Sequence, residues 1–556
     1  MTTNSTTSLT ELIAALSRPT AYPWDVERVE VCQTHISAVF LAGPWVIKVK
    51  KPVRLPFLDF STLERRQFFC EEEVRLNQRL APGVYHGVVP ITRSSTGLRI
   101  QGDGPVAEWA VQMERLPDEA TFDSRLHHDT LTTEHVQRLA RRVSEFHQSA
   151  RRDQLTATYG RFDVIAAAVR ANLEFARDQV GLTLSQSVFE RLSDVTERAL
   201  VLAQPIIERR AEAGFVRELH GDLHLDHVYL LEDQPSPRDL LIIDTIEFNE
   251  GFRCIDVVAD MAFCVIDFAA HGRRDLGRLF ADTYFAATGD AEGRGLLPLF
   301  TSYRAAVRAK VNGMLATESE VAPPDRQAAV DRATALWLLA LGELESPAKR
   351  PALLLVSGLP GTGKSTLARG LAERAGFRVI RSDVVRKELA GLTATTRSSA
   401  EFQQGIYSPA WTDRTYAECL RQATRALLSG ERVIVDATFL EDDRRRAFLQ
   451  AAIRLGVPAL WLVCEALEEC VRTRLAARHG DASDADWSIY QLAAEHWENP
   501  SVFCKRYQRP ISTESSTDQS LTNALNALEE VSDVAGVRPC ALSLSSKTAN
   551  AHQVTT

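Results

Sequence analysis

The chain has 556 residues, 45% hydrophobic and 25% charged, an ordinary globular composition over a length that excludes a single hydrophobic core. Its nine cysteines form no CxxC pair and its apolar runs are too short to span a bilayer, so we expect a cytoplasmic protein without disulfides, a thiolate metal site or membrane contacts. The net charge of −9 lies entirely in residues 1–350, because acidic and basic side chains balance in 351–556, and neither half has the basic excess that attracts nucleic acid.

The first predicted elements are an antiparallel meander and a helix. Apolar and polar residues alternate through 28–52 around a turn at Gly43, and 60–82 has helical spacing. Lys48 lies on the third strand of the meander, and Glu73 lies on the helix.

Two acidic motifs follow a stretch, 131–215, that is predicted to be almost wholly helical. LHGDLHLDHVYLL, residues 219–231, contains Asp222 in a His-Gly-Asp loop. LLIIDTIEFNE places Asp244 at the tip of an apolar strand.

These motifs resemble the catalytic loop and the metal-binding Asp of aminoglycoside-phosphotransferase-like kinases, a branch of the protein-kinase fold. The resemblance extends over nearly all of 28–345. It implies an α+β fold in which Asp222 orients and deprotonates a hydroxyl, while Asp244 holds Mg²⁺ against the phosphates of ATP.

The same resemblance implies a nucleotide site between the meander and the helix. Lys48 would form an ion pair with Glu73, for which Glu72 is the alternative partner. WAVQMERLP resembles the kinase hinge, so the backbone from Met113 to Leu116 would hold the adenine.

His227 departs from this family's pattern. Five residues after Asp222 the kinases carry an Asn that binds a second Mg²⁺, and the Gly-rich phosphate loop of kinases is replaced by QTHISAVF. Neutral imidazole is a poorer Mg²⁺ ligand than oxygen. We therefore expect either a site that prefers a softer ion such as Mn²⁺, with His227 among its ligands, or a degenerate fold that binds nucleotide or substrate without transferring phosphate.

A linker is predicted at 346–351, where two prolines bracket a short polar segment. It separates a first domain at 1–345 from a second at 352–515, and the Ser/Thr/Ala-rich end predicts a disordered tail at 533–556. In the second domain apolar strands alternate with helical segments, which is typical of an α/β fold with a parallel sheet. The predicted strands lie near 353–357, 377–380, 432–436 and 459–463.

The segment between the first of these strands and the next helix matches the phosphate-binding pattern GxxxxGK[ST]. Glycines let successive backbone N–H groups wrap a phosphate chain, Lys364 reaches the β- and γ-phosphates, and Ser365 offers a hydroxyl to Mg²⁺. We expect ATP to be held here by Gly358, Leu359, Pro360, Gly361, Thr362, Gly363, Lys364, Ser365 and Thr366.

Further motifs in 352–515 resemble small P-loop kinases such as polynucleotide 5′-kinases, zeta-toxin-like kinases and gluconokinase-like enzymes. They are RSDVVRKELAG, RVIVDATF and RTRLAARHGDASDAD. The resemblance implies that Asp383 is the general base and that Asp436 holds the Mg²⁺ shell. Arg474 and Arg478 would be lid arginines that neutralise the transferring phosphate. The simpler alternatives are helix caps for the two carboxylates and a solvated helix face for the arginines.

The whole chain resembles bifunctional bacterial proteins that fuse an aminoglycoside-phosphotransferase-like domain to a P-loop ATP-binding domain. We expect an ATP- and Mg²⁺-dependent kinase that phosphorylates a hydroxyl of a small-molecule acceptor. The alternatives are a P-loop ATPase regulated by a degenerate kinase-like domain, and a nucleic-acid-end or nucleotide kinase. Balanced charge and the lack of interleaved aromatic and basic residues argue against tight nucleic-acid binding.

Overall fold

The structure is a computed structural model that describes residues 7–95, 97–393, 396, 404–477, 485–514 and 516–532. The predicted tail at 533–556 and the predicted lid residue Arg478 lie outside the described residues. Within the part of the chain that is described, no helix combines the length and the apolar character needed to cross a bilayer.

The first part of the chain begins with a six-stranded antiparallel sheet in the order β1-β2-β3-β8-β6-β7. The predicted meander forms β1 to β3, and α2 packs against β6 and β8. The strands of this part are β1 (Val29–Gln33), β2 (Ser37–Ala42), β3 (Trp45–Lys50), β4 (Arg54–Leu55), β5 (Leu58–Asp59), β6 (Tyr85–Ser94), β7 (Gly97–Ile100), β8 (Val106–Glu114), β9 (Val216–Glu218), β10 (Val228–Leu230), β11 (Leu240–Ile242) and β12 (Cys254–Asp256).

Helices make up most of the rest of this part, and the predicted helical stretch contains α4 to α7. The central helix is α9, which is buried along almost its whole length and is apolar apart from Asp260 and Asp267. The helices are α1 (Leu9–Leu16), α2 (Leu63–Asn77), α3 (Phe122–His127), α4 (Thr133–Ser149), α5 (Gln154–Tyr159), α6 (Phe162–Asp178), α7 (Gln186–Glu212), α8 (Glu250–Arg253), α9 (Val257–Ala270), α10 (Arg274–Thr288), α11 (Ala291–Arg294), α12 (Leu297–Thr317) and α13 (Pro323–Leu344).

The second part is a five-stranded parallel sheet in the order β14-β15-β13-β16-β17, flanked by helices. The prediction of an α+β unit followed by an α/β unit with a parallel sheet is therefore confirmed. The elements are β13 (Ala352–Ser357), α14 (Lys364–Ala375), β14 (Arg378–Arg381), α15 (Ser382–Leu389), α16 (Pro409–Leu428), β15 (Arg432–Asp436), α17 (Asp442–Arg454), β16 (Ala459–Glu465), α18 (Glu468–Ala476), α19 (Trp487–Glu495), α20 (Val502–Tyr507), β17 (Gln508–Ser512) and α21 (Thr517–Ser532).

One continuous apolar core joins the two parts. Trp337 and Leu341 of α13 pack in the same cluster as Leu355, Val435 and Trp461, which line one face of the parallel sheet. The opposite face of that sheet is covered by α14 and α21. The two parts are thus one packed unit, and the second uses helices of the first to bury its sheet.

Candidate active sites

The first candidate site lies where the antiparallel sheet meets the helical part of the fold. The Nζ atom of Lys48, on β3, lies 2.9 Å from Oε1 of Glu73 and 2.5 Å from Oδ1 of Asp244. Burial works against the charged lysine, but attraction to Asp244, Glu73 and Glu247 outweighs it and raises the pKa of Lys48 well above its usual value. Lys48 is therefore a permanent cation here.

Glu73, rather than Glu72, is the partner of this lysine. Glu73 is fully buried on α2, whereas Glu72 pairs with Arg75 at 2.8 Å on the outer face of the helix. Burial alone would raise the pKa of Glu73, but the neighbouring Lys48 and Lys50 outweigh this effect and lower it.

The second of these lysines, Lys50, belongs to none of the predicted motifs. The fully buried Nζ atom of Lys50 lies 2.7 Å from Oε2 of Glu73 and also contacts Glu247. Burial raises the pKa of Glu247, against the attraction of Lys50. The signal was present in VIKVK, because residues two apart on a strand share a face.

The loop that carries Asp222 is positioned by α9. The backbone N–H groups of Gly221 and His220 donate to the carboxylate of Asp260 at 2.8 and 3.2 Å. The Nε2 atom of His224 lies 2.8 Å from Oδ1 of Asp222. Burial opposes ionisation of Asp222, but His224 outweighs it and lowers the pKa of Asp222 to about 2. Asp222 is ionised and able to accept a proton or a hydrogen bond.

Asp256, four residues before Asp260, lies at the N-terminus of the same helix. Asp256 is the N-cap of α9: its side chain accepts from the N–H of Val258 at 2.8 Å and pairs with Arg210 at 2.8 Å. A carboxylate just before the first turn satisfies a free N–H group of the helix, which explains its position.

His227 stands beside the predicted metal ligand. Its Nδ1 atom lies 3.0 Å from the carbonyl oxygen of Asp222, and its Nε2 atom lies 3.8 Å from Oδ2 of Asp244. Because a carbonyl only accepts, Nδ1 carries the hydrogen and Nε2 presents its lone pair toward Asp244. Asp244 has a φ of +66°, a strained conformation that is typical of functional positions. One carboxylate and one imidazole form a donor pair that fits a divalent ion.

The predicted hinge lies at the end of β8. Met113 and Leu116 are buried beside Leu241, so their side chains belong to the core between the sheet and the helical part. The N–H groups of Glu114 and Arg115 donate to carbonyls of neighbouring segments at 2.9 Å each. Adenine recognition here would depend on the remaining backbone groups of the segment.

The second candidate site lies at the carboxyl edge of the parallel sheet. Gly358 has a φ of +134°, and a Cβ atom there would lie 2.5 Å from the carbonyl oxygen of Cys464, so the loop requires glycine. The Nζ atom of Lys364 donates to the carbonyl of Leu359 at 2.8 Å across the loop. The predicted loop residues Pro360, Gly361, Thr362 and Gly363 complete the turn into α14, and Thr366 lies in the first turn of that helix.

Ser365 and Asp436 meet at this edge. The hydroxyl of Ser365 donates to Oδ2 of Asp436 at 2.6 Å, and burial raises the pKa of Asp436 despite the nearby Lys364. A hydroxyl and a carboxylate oxygen in contact are the kind of ligands that Mg²⁺ takes. Asp383 lies in the first turn of α15, near enough to Asp436 for the two carboxylates to repel each other.

Arg474 is held against the phosphate loop through a residue that no motif indicated. It donates to the carbonyl of Thr513 at 2.7 Å and to its hydroxyl at 3.1 Å. The hydroxyl of Thr513 in turn donates to the carbonyl of Thr362 at 2.7 Å. Arg386 differs: it is buried and donates to the carbonyl of Ile406 at 2.7 Å, which is a structural contact.

Known proteins match either the second part of this chain or most of its length. Residues 353–496 match the model of an AAA domain. An uncharacterized protein of Mycobacterium tuberculosis (strain H37Rv) is 32% identical over 461 residues, which cover 83% of this chain and 88% of that protein. An uncharacterized protein of Mycobacterium bovis matches to the same extent. The chain belongs to the family of these mycobacterial proteins.

Solved structures are similar to one part or the other of this family member. The GDP complex of aminoglycoside 2′-phosphotransferase-IIIa is 15% identical, with a TM-score of 0.37, and covers 59% of this chain and 98% of its own. A gluconokinase from Sinorhizobium meliloti is 19% identical, with a TM-score of 0.24, and covers 33% of this chain and 93% of its own. The predicted P-loop domain in the second part is confirmed by the match to the AAA domain and by the parallel sheet.

Proposed function

We propose that this protein is an ATP-dependent phosphotransferase with two nucleotide sites, each of which transfers the γ-phosphate to a hydroxyl of a small-molecule acceptor. The observation that carries the proposal is that both parts bring a lysine and a carboxylate to one place. In the first part the lysine is Lys48 and the carboxylate is Asp244. In the second part Lys364 lies near Asp436, which contacts Ser365.

In the first site Lys48 would hold the phosphates, and Asp244 with His227 would hold Mg²⁺ or Mn²⁺. The metal ion would neutralise phosphate charge during transfer. Asp222 stays ionised over the physiological pH range, so it would accept the proton of the attacking hydroxyl. Glu73, held by Lys48 and Lys50, would fix the position of the first lysine.

In the second site the backbone N–H groups of the phosphate loop and Lys364 would hold the phosphates. Ser365 and Asp436 would hold Mg²⁺, which supplies charge neutralisation when it is bound. Asp383 would act as the base for the acceptor hydroxyl, and Arg474 would approach the transferring phosphate from its position on Thr513.

A second candidate function is favoured by His227. An imidazole in place of an amide oxygen disfavours the second Mg²⁺ of a kinase site. In this alternative the first part binds a nucleotide or ligand without transferring phosphate and regulates ATP turnover by the second part. The shared core gives a physical route for such regulation, because side chains of α13 belong to the same apolar cluster as one face of the parallel sheet.

Calorimetric titration of the full-length protein with ATP, first with Mg²⁺ and then with Mn²⁺, separates the double phosphotransferase from a regulated ATPase whose first part binds a ligand other than ATP. A double phosphotransferase binds two equivalents, and Lys364→Ala and Lys48→Ala each remove one. Lys349→Ala, which removes an exposed lysine outside both sites, serves as the matched control and retains two. One equivalent that disappears only in Lys364→Ala would favour the regulated ATPase. Loss of all binding in Lys364→Ala would contradict the two-site proposal.

A further inference from the structure

Two histidines and a carboxylate cluster outside both candidate sites. Asp123 and His127 lie on α3, and His271 is the C-terminal cap of α9. One ligand atom from each of the three side chains lies within 4.8 Å of those of the other two. We propose that Asp123, His127 and His271 bind a divalent transition-metal ion such as Zn²⁺.

The position of the hydrogen on the His271 ring favours a bound cation. Its Nδ1 atom lies 2.8 Å from the carbonyl oxygen of Asp267, and because a carbonyl only accepts, Nδ1 carries the hydrogen. The Nε2 atom of the same ring lies 3.2 Å from Oδ1 of Asp123. In the neutral ring two lone pairs then face each other, which is unfavourable unless a proton or a metal ion joins them.

The spacing of these two atoms suits a metal ion. At a tetrahedral Zn²⁺ site with bonds of about 2.0–2.1 Å, neighbouring ligand atoms are separated by about 3.3 Å. The measured separation between Nε2 of His271 and Oδ1 of Asp123 is 3.2 Å. Metal-binding histidines commonly donate their other ring N–H to a carbonyl, as His271 does to Asp267.

His127 is the third potential ligand of the cluster. Its Nδ1 atom lies 3.3 Å from Oδ2 of Asp123 and 3.0 Å from the carbonyl of the same residue, and its ring meets that of His271 edge-on at 4.7 Å. The side chain of His127 is 60% exposed, so its ring can turn toward an ion without displacing packed atoms. Two imidazoles and one carboxylate form a transition-metal donor set with further positions open to water.

A second group of potential ligands, His224, Asp226 and Asp267, is less suitable. Asp267 already contacts Arg308 and accepts from the N–H of Leu225 at 2.9 Å, and His224 is engaged with Asp222 at 2.8 Å. In contrast, within the described residues, Asp123 forms ion pairs with the two histidines alone, and Arg308 attracts its carboxylate only from a longer distance.

The proposed site lies next to the contact between the two parts. Two residues after His127, Asp129 pairs with Arg506 of the second part at 2.9 Å. Directly after His271, the carbonyl of Gly272 accepts from the hydroxyl of Tyr507 at 3.2 Å. An ion that ties α3 to the end of α9 would therefore stiffen this junction and raise the melting temperature of the whole chain.

The test uses the full-length protein, stripped with a chelator and titrated near neutral pH with Co²⁺ followed by absorption and with Zn²⁺ followed by calorimetry. His127→Ala, His271→Ala and the isosteric Asp123→Asn should each bind one equivalent fewer than the wild type, or bind it at least about tenfold more weakly. His128→Ala is the matched control, because this neighbouring exposed histidine lies outside the cluster.

Zn²⁺ should also raise the melting temperature of the wild type and of His128→Ala, but not that of His271→Ala. The variants are compared only after their metal-free melting temperatures are shown to match the wild type, and Asp123→Asn remains as a test if either alanine variant fails to fold. Unchanged Co²⁺ and Zn²⁺ binding in the variants, or no binding by the wild type, would overturn the proposal and leave a protonated His271 paired with Asp123.

Discussion

Asp222 and Asp383 are each proposed to accept the proton of an acceptor hydroxyl, but the charged groups around the two carboxylates differ. Asp222 is paired with His224, and its pKa is about 2, so it is a carboxylate in all ordinary buffers. Asp383 instead lies near a second carboxylate, Asp436, and near Arg386. Because a proton acceptor in transfer contributes about 10²–10⁴-fold to the rate, each can be tested by removing its charge at constant shape.

We expect Asp383→Asn to keep ATP binding at the second site and to slow phosphate transfer about 10²–10⁴-fold. The measurement is ADP production with a panel of small-molecule hydroxyl acceptors, in a Lys48→Ala background that silences the first site. Asp443→Asn, which neutralises an exposed carboxylate in the first turn of α17, is the matched control and should have no effect. Full transfer by Asp383→Asn would remove Asp383 as the base.

The buried ring of His220 is expected to make the stability of the folded chain depend on pH. Its Nε2–H donates to the carbonyl of Ile243 at 2.8 Å, and its Nδ1 accepts from the N–H of Asp222 at 3.2 Å, so both ring nitrogens are satisfied only in the neutral form. Burial accordingly lowers the pKa of His220 to about 4. The unfolded chain binds this proton near pH 6.5 and the folded chain does not, so stability is full above pH 6.5 and decreases as the pH falls toward 4.

The contribution of His220 to this decrease is about 3 kcal/mol. We expect His220→Asn to be less stable than the wild type at neutral pH but to lose about 3 kcal/mol less between pH 6.5 and pH 4. Urea unfolding at several pH values measures both. His35→Asn, at an exposed histidine, controls for the loss of a ring. Equal pH dependence in wild type and His220→Asn would show that this ring does not resist protonation.

At the level of elements, the loop that carries Asp222 approaches α8 closely. Gly221 has a φ of +83°, and a Cβ atom there would lie 2.7 Å from the carbonyl oxygen of Phe252. We expect Gly221→Ala to destabilise the chain by about 1–3 kcal/mol and to abolish transfer at the first site. Gly181→Ala is a matched control, since its φ is +86° but the space around it is open. It should carry the backbone strain without the clash.

Thermal unfolding and ATP binding of the two glycine variants measure this difference. If Gly221→Ala and Gly181→Ala behave alike, strain at positive φ accounts for the whole effect and the loop tolerates a side chain.

Periodicity and motifs were enough to predict the elements that carry their own signal. The phosphate loop, the meander and four parallel strands have continuous or alternating apolar patterns, and the structure places them within one or two residues of their predicted bounds. The fifth strand, β17, could not be found in this way. It is an edge strand with Pro510 and only one buried residue, Ile511, so its position is set by pairing with β16 rather than by its own sequence.

The same limit applies to the sites. Lys48, Glu73, Lys364 and Ser365 follow from local motifs, and the structure gives each a polar contact at its candidate site. Residues that act through distant contacts carried no such signal. Thr513 reaches Arg474 only because β17 ends beside the phosphate loop, which is a consequence of the sheet order.

At the scale of the whole molecule, the linker predicted at 346–351 suggests two separable domains. In the structure, however, one apolar core contains residues from both sides of this linker. A fragment that began near residue 350 would expose the face of the parallel sheet that Trp337 and its neighbours cover. An ion pair and a hydrogen bond add to this contact: Asp129 pairs with Arg506, and Arg191 donates to the carbonyl of Gly430 at 2.6 Å. Point variants of the full chain are therefore better probes of each site than fragments.

Trp337→Ala tests whether the shared core couples the two parts. Trp337 is fully buried and its Nε1–H donates to the hydroxyl of Thr183 at 3.2 Å, so its removal should cost about 3–5 kcal/mol. Because Trp337 lies in the apolar cluster that joins α7 of the first part to β15 of the second, we expect faster hydrogen exchange in both elements, measured by mass spectrometry. Leu202→Ala, at a side chain that is 59% exposed, should leave exchange unchanged. Faster exchange in α7 or β15 alone would mean that the parts unfold independently, and regulation of one site by the other would then need a route other than this core.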